Sequence, residues 1–147
     1  MTKVDIVVPD EFMLDLPNIS YTATKLFLYF RRLRELSRNS YPNNYAWVRC
    51  SQETILKNTG IKSKVSLSPA RLELAELGWI ADYVRGGYNS NGENTTNSYC
   101  IPDSKLKTVN PVLIVAWGGK VESTEELKKP SYVVAMYNVW KKSEEGI

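Results

Sequence analysis

Between Ser20 and Arg38 the apolar residues Leu26, Phe27, Phe30 and Leu33 fall on one helical face, and Arg31, Arg34, Glu35 and Arg38 fall on another. This 3.6-residue pattern predicts an amphipathic helix, capped by Ser20 and laid on a core. After a polar turn containing Pro42, residues 46–50 have the composition of a short strand. Ser51 then caps a second helix of about two turns, with Gln52 and Glu53 at its start, Lys57 near its end and Gly60 where a left-handed residue closes it. Leu67, Ala70, Leu74 and Leu77 make a buried stripe that stops at Gly78 and predicts a third helix. Its start is expected at Ser66 or Ser68, because Pro69 is tolerated best in a first turn. Beyond Gly78, residues 79–85 read as a strand, 94–102 as its returning partner and 86–93 as the bend between them.

The remaining residues follow a different pattern. Residues 111–117 are a buried apolar segment of unassigned type, followed by Gly118-Gly119 and a short charged helix around 125–129. Ser131 is expected to cap a final helix carrying Val133, Met136, Tyr137, Val139 and Trp140. That apolar surface must be covered, either by this chain's own domain or by a second copy in a homodimer formed through residues 111–140. The predicted class is therefore α+β and mainly helical, with a small antiparallel sheet. Residues 1–102 form the domain, and residues 103–147 a helical appendage for capping or dimerisation.

Composition narrows the function. With 43% hydrophobic and 24% charged residues, the 147-residue chain should fold. It contains no histidine, and Cys50 and Cys100 lack metal-ligand spacing, so neither a zinc site nor a Cys-His dyad is expected. Gly118-Gly119-Lys120 lacks the spacing of a phosphate-binding loop, and no convincing carboxylate pair stands out. These features argue against an enzyme, a metal or a cofactor. Asn94-Thr95-Thr96 fits a glycosylation acceptor, which has no consequence without secretion. No signal peptide is legible, and the longest apolar run, 112–117, is far short of the roughly 20 residues a membrane helix needs. A cytoplasmic protein without membrane contact is expected. The net charge of +3 hides a gradient, since residues 1–19 carry one Lys against four acids and residues 20–48 carry five basic residues against one acid. Such a charge is compatible with nucleic acid without demanding it.

Helix, strand, short helix, glycine turn, helix and hairpin follow in the order of a winged helix. The stretches SQETILKNTGI, LELAELGWI and TTNSYCI resemble the winged helix-turn-helix DNA-binding family, of the kind found in phage and plasmid replication proteins. The resemblance covers roughly residues 8–102. It implies that residues 51–60 set the motif on the DNA backbone, that the third helix enters the major groove, and that the hairpin wing touches phosphates or the minor groove. It also implies that strand 46–50 pairs with 97–101, bringing Cys50 near Cys100.

The DNA-binding residues so implied are Lys57, Lys62, Ser63, Lys64, Ser66, Ser68 and Arg71 around the third helix. In the wing they are Arg85, Tyr88, Asn89, Asn91, Asn94, Thr95 and Thr96. Arg71 has no acid three or four residues on, which favours DNA over an intrahelical ion pair. Arg31, Arg32, Arg34 and Arg38 are expected to form a solvated face away from DNA, with a partner surface as the sharper alternative.

Two departures from the family's pattern matter. Leu56 stands where the family has a small residue, and the connection from Gly60 to Leu67 reads one residue long, with Pro69 within the expected recognition helix. The outer face of the third helix, with Val65, Ser68, Leu72 and Glu76, has none of the Arg, Lys, Asn or Gln residues that read bases. An appendage covering Leu72 would exclude major-groove docking.

The expected function is site-specific binding of double-stranded DNA by a plasmid, phage or other mobile-element protein, in replication initiation, transfer or partition. A transcriptional regulator is the neighbouring alternative. A winged-helix module for replication or transfer proteins, with little DNA affinity, is the alternative from another class.

Overall fold

The computed structural model describes residues 5–40, 45–86 and 96–120. The chain is α+β and mainly helical. In order it forms α1 (Asp10–Asp15), a 3-10 turn (Leu16–Asn18), α2 (Tyr21–Ser40), β1 (Trp47–Cys50), α3 (Gln52–Thr59), α4 (Lys64–Leu77), β2 (Asp82–Val84), β3 (Asn97–Cys100) and α5 (Pro111–Ala116). The three strands make one antiparallel sheet in the order β1-β3-β2.

Helix α1 has no counterpart in the sequence reading. A six-residue helix is too short to be stable by itself, and tertiary contacts hold this one. Phe12 stacks on Phe27 of α2 with ring centroids 3.7 Å apart and meets Trp79 edge-on. Asp15 accepts a hydrogen bond from Trp79 Nε1 at 3.0 Å and an ion pair from Lys105 at 2.9 Å. These aromatic rings join Leu26, Phe30, Ile55, Leu67, Leu74, Tyr99 and Leu113 in one core.

Helix α2 begins where Ser20 predicts, its hydroxyl oxygen accepting from the Ala23 amide. Glu73 of α4 completes that end, accepting from the Ser20 amide at 2.7 Å and from its hydroxyl at 2.6 Å. A carboxylate at the positive end of a helix is favourable, so this contact pins α2 to α4.

The expected solvated arginine face is corrected for two of its four members. Arg31 and Arg34 are buried, at 3% and 1% exposure. Arg31 donates to the Pro102 carbonyl at 2.8 Å, and Arg34 donates to the Ile101 carbonyl at 3.0 Å and pairs with Asp103. Periodicity could not reveal this, because the acceptors lie on the strand exit more than 60 positions away. Arg38 is exposed, as expected.

Helix α3 follows its prediction closely. The Ser51 hydroxyl caps it by accepting from the Thr54 amide, and Gly60 closes it with φ 77°. Leu56 packs half-buried against the core.

The start of α4 differs from the prediction. Ser63, in extended geometry, is the N-cap and accepts from the Ser66 amide. The connection from Gly60 is therefore only Ile61, Lys62 and Ser63, and Pro69 lies inside the helix. The missing amide at Pro69 leaves the Val65 carbonyl without its helical donor. Both residues face outward, with Val65 82% exposed, so water can take that donor's place.

The strand expected over 79–85 is also shorter. Trp79, Ile80 and Ala81 form a fully buried connection instead, and pairing begins at Asp82. Gly78 sets this turn with φ 88°, because a Cβ there would stand 2.8 Å from the Leu106 carbonyl oxygen.

Strand β1 pairs with β3 as expected, yet the two cysteines are not neighbours. Cys50 stands opposite Asn97 and Cys100 opposite Trp47. With side chains alternating along a strand, the two thiols lie on opposite faces of the sheet. Both are free and buried.

The apolar segment after residue 110 is a helix. Asn110 caps α5 by accepting from the Val112 amide, Pro111 occupies its first turn, and Leu113 enters the common core. The helices expected at 125–129 and after Ser131, and the surface proposed for dimerisation beyond residue 120, lie outside the described residues. Among the described residues no helix is long and apolar enough to cross a membrane.

Candidate nucleic-acid interface

The turn between α3 and α4 is basic and exposed. No acidic residue occurs between Glu53 and Glu73, while Lys57, Lys62 and Lys64 fall within that stretch. All three lysines are exposed, as is Ser66 in the first turn of α4. The fold adds a fourth cation that the sequence reading missed. Lys25 of α2 reaches the same turn, where a Cβ on Gly60 would stand 3.8 Å from its Nζ, and lies over the Tyr21 ring at 4.6 Å. Only the packing of α2 on α3 brings Lys25 here, so no local signal marks it.

Three of the expected contact residues around α4 have other tasks. Ser63 spends its hydroxyl on the helix cap. Ser68 accepts from Arg71 Nη2 at 3.3 Å. Arg71 is not a free surface cation, being 6% exposed, with Nη1 donating to the Tyr99 hydroxyl at 3.1 Å. Its guanidinium lies 5.1 Å from the Trp117 ring centroid and 5.9 Å from that of Tyr83. The absence of an acid at helical spacing therefore meant an aromatic enclosure, not an open side chain.

The positive charge of Arg71 is felt by its neighbours. Burial pushes the Tyr99 hydroxyl up to about 12, and Arg71 holds it from rising further through its charge and its hydrogen bond. The Cys50 thiol is likewise pushed up to about 12 by burial, with Arg71 again opposing. Both groups are uncharged near neutral pH, so Cys50 is a poor nucleophile.

The outer face of α4 is weaker still for base reading than the sequence implied. Val65 and Glu76 are exposed, but Leu72 is half-buried. A Cβ placed on Gly119 would stand 2.8 Å from Leu72 Cδ1, so the segment after α5 lies directly on that side chain. An open groove of about 240 Å³ beside it is lined by Asn18, Pro69, Leu72, Glu73, Glu76 and Leu77. Its two carboxylates make it unsuited to phosphate.

Arg85 and Thr96 are exposed just beyond β2 and just before β3. Tyr88, Asn89, Asn91, Asn94 and Thr95 lie outside the described residues. Of the expected contact residues, Lys57, Lys62, Lys64, Ser66, Arg85 and Thr96 are exposed, and half-buried Lys25 stands beside Gly60. Among the described residues no group of three His, Cys, Asp or Glu side chains is placed to hold a metal. No family model, curated protein or solved structure matches this chain.

Proposed function

We propose that this chain is a winged-helix protein that binds double-stranded DNA, gripping the phosphate backbone with the Gly60 turn and the first turn of α4. One observation carries the reading: Lys57, Lys62 and Lys64 are exposed on and beside the short turn between two helices, in a stretch with no acid between Glu53 and Glu73. Lysine ammonium groups and the amides of a helix start both suit phosphate oxygens. Backbone contact of this kind supplies affinity and register, and it leaves sequence choice to few groups. Val65 and Ser66, both exposed in the first turn of α4, are in this reading the side chains that would lie nearest to a groove. In this reading the role at a specific site of a plasmid, phage or other mobile element rests on the family resemblance of residues 51–61, 72–80 and 95–101.

The test is the salt dependence of binding to a random-sequence duplex, together with sequencing of the fragments retained from source-cell DNA. Replacing Lys62 and Lys64 together by Ala should weaken binding and flatten the slope of log K against log salt by about 1.8, or 0.9 for each phosphate that is no longer neutralised. A sharply enriched locus among the retained fragments would establish site selection. Failure of the wild-type chain to bind any duplex at low salt would overturn the reading. The neutral outer face of α4, with Val65 exposed and Leu72 covered, would then favour a protein-interaction module instead.

A further inference from the structure

The end of α5 closes the angle between α4 and β2, the face that the DNA-binding reading turns toward the duplex. Trp117 meets Tyr83 of β2 edge-on at 5.3 Å and lies over Arg71 of α4 at 5.1 Å. Two positions on, Gly119 sits on Leu72, its amide donating to the Ile114 carbonyl at 2.7 Å. Gly118, between them, turns the chain with φ 93° and meets nothing within 4 Å.

Beneath this cover Arg71 is incompletely satisfied. A guanidinium has five N–H donors. Here Nη1 and Nη2 each find one hydroxyl, while Nε is buried without a partner. Arg71 makes none of the ion pairs among the described residues. Two other buried donors lack partners among the described residues: Arg31 Nε on α2, and Asn97 Nδ2 on the same face of β3 as Tyr99, two positions away. Ring faces attract a cation without anchoring it to a fixed hydrogen-bond geometry, so the enclosure holds the charge loosely.

From this geometry we infer that the Trp117–Gly119 segment is an autoinhibitory cover, and that Arg71 is a DNA contact released when the cover lifts. The inference rests on the DNA-binding reading above and adds its regulation. In the covered state the Gly60 turn supplies binding alone. In the open state the guanidinium of Arg71 gains a phosphate or a guanine edge, acceptors that match its fork of donors. The cover and the duplex compete for the same face, so DNA binding and cover binding oppose each other.

The test lifts the cover with the full chain intact. A Cβ on Gly119 would stand 2.7 Å from Ile114 Cγ2 and 2.8 Å from Leu72 Cδ1, so Gly119→Val should wedge the segment off α4. On the random-sequence duplex this variant should bind about tenfold tighter, the gain of one added charge-assisted contact of about 1.4 kcal/mol. Its salt slope should steepen by about 0.9 if the new contact is a phosphate. Adding Arg71→Met should abolish the gain. Should Gly119→Val not unfold cooperatively, Trp117→Leu, which removes the ring over Arg71 and keeps the helix, takes its place.

A folded cover variant that binds no tighter than the wild type overturns the inference, and so does a gain that survives Arg71→Met. If the Lys62/Lys64 variant still loses affinity in that case, the DNA-binding reading stands without its regulation. No binding by either chain removes both.

Discussion

Two places in this small protein bury arginine, and they solve the same physical problem in opposite ways. On α2, Arg31 and Arg34 meet the Pro102 and Ile101 carbonyls and the Asp103 carboxylate. On α4, Arg71 meets two hydroxyls and two aromatic rings. Carbonyls and carboxylates are strong acceptors for a guanidinium and fix its direction. The α2 pair is therefore a strap, tying the chain that leaves β3 to the middle of the longest helix. Tyr45 reinforces it by stacking near Arg34 at 4.6 Å and Arg38 at 4.5 Å. Burial still has a cost there, since it lowers the Arg31 pKa, helped by the charge of Arg34. The charge on α4 lacks any such anchor among the described residues. It is confined by rings, and confinement by rings can be undone.

The sharpest way to break this comparison is Arg34→Met. The substitution keeps the apolar stem, removes the donors and strands the Ile101 carbonyl in the interior. Loss of one partner of a buried charged hydrogen-bond set costs about 3 kcal/mol, which for a chain of this size lowers Tm by about 10 °C. Thermal unfolding followed by circular dichroism reads it directly. Asp103→Ala should cost less, about 1 kcal/mol or below, because Asp103 is 63% exposed and its pairing is screened by water. Similar losses for the two variants would show that the carboxylate, not the carbonyl, holds the strap.

An acidic residue sharpens the same contrast. Asp82 on β2 is buried and accepts one short hydrogen bond, from the Tyr83 amide at 2.7 Å. Burial pushes its pKa up to about 6, with that amide partly opposing. An unfolded chain would release the proton near 3.9. The folded protein therefore holds the proton more tightly, and its stability is greatest below about pH 4. Stability falls as pH rises from about 4 to about 6, and above that the fold carries the full cost of a buried carboxylate, on the order of 2 kcal/mol. Asp82→Asn should raise Tm by several degrees near neutral pH and change it little near pH 4. An equal gain at both pH values would mean that packing, not charge, sets the cost.

What the sequence could reveal follows the range of each interaction. Ser51, Gly60 and Gly78 are local devices, each satisfied within a few residues, and their roles were legible in the order of residues alone. The stripe of Leu67, Ala70 and Leu74 was equally plain, because it repeats. The start of α4 differs because Pro69 points to a cap at Ser66 or Ser68, whereas Ser63 is the cap. A proline inside a helix is tolerable when the carbonyl it orphans faces water, and exposure is not written in spacing. Helix α1 escaped notice because Phe12 acquires its purpose only against Phe27 and Trp79.

The candidate site divides on the same line. Lys57, Lys62 and Lys64 were readable because an exposed turn needs no partner, whereas the position of Lys25 depends on how α2 packs. Arg31, Arg34 and Arg71 were all read as surface cations. Their acceptors lie 71, 67 and 28 positions away, and no helical periodicity reports on a distant carbonyl or hydroxyl. The two cysteines differ: the expected pairing of 46–50 with 97–101 forms, but its antiparallel direction sets Cys50 opposite Asn97, three positions from Cys100.

The smallest expected effect carries the comparison furthest. Arg71→Met removes the buried charge on α4 with a side chain of similar length. It takes away two hydrogen bonds to neutral hydroxyls and the attraction of two rings, each about 1 kcal/mol. It also removes the desolvation cost of a guanidinium with an unpartnered Nε, a cost of several kcal/mol before compensation. The two sides nearly cancel, so stability should move by no more than about 1 kcal/mol in either direction, against a loss of about 3 kcal/mol for the same substitution at Arg34. Denaturant titration of both variants under one buffer measures the difference directly, since a change in midpoint at constant m is a change in stability. A loss at Arg71 as large as that at Arg34 would make it a second strap, and a strap is not released by lifting Trp117. A near-neutral result leaves a cation that the fold does not need where it is.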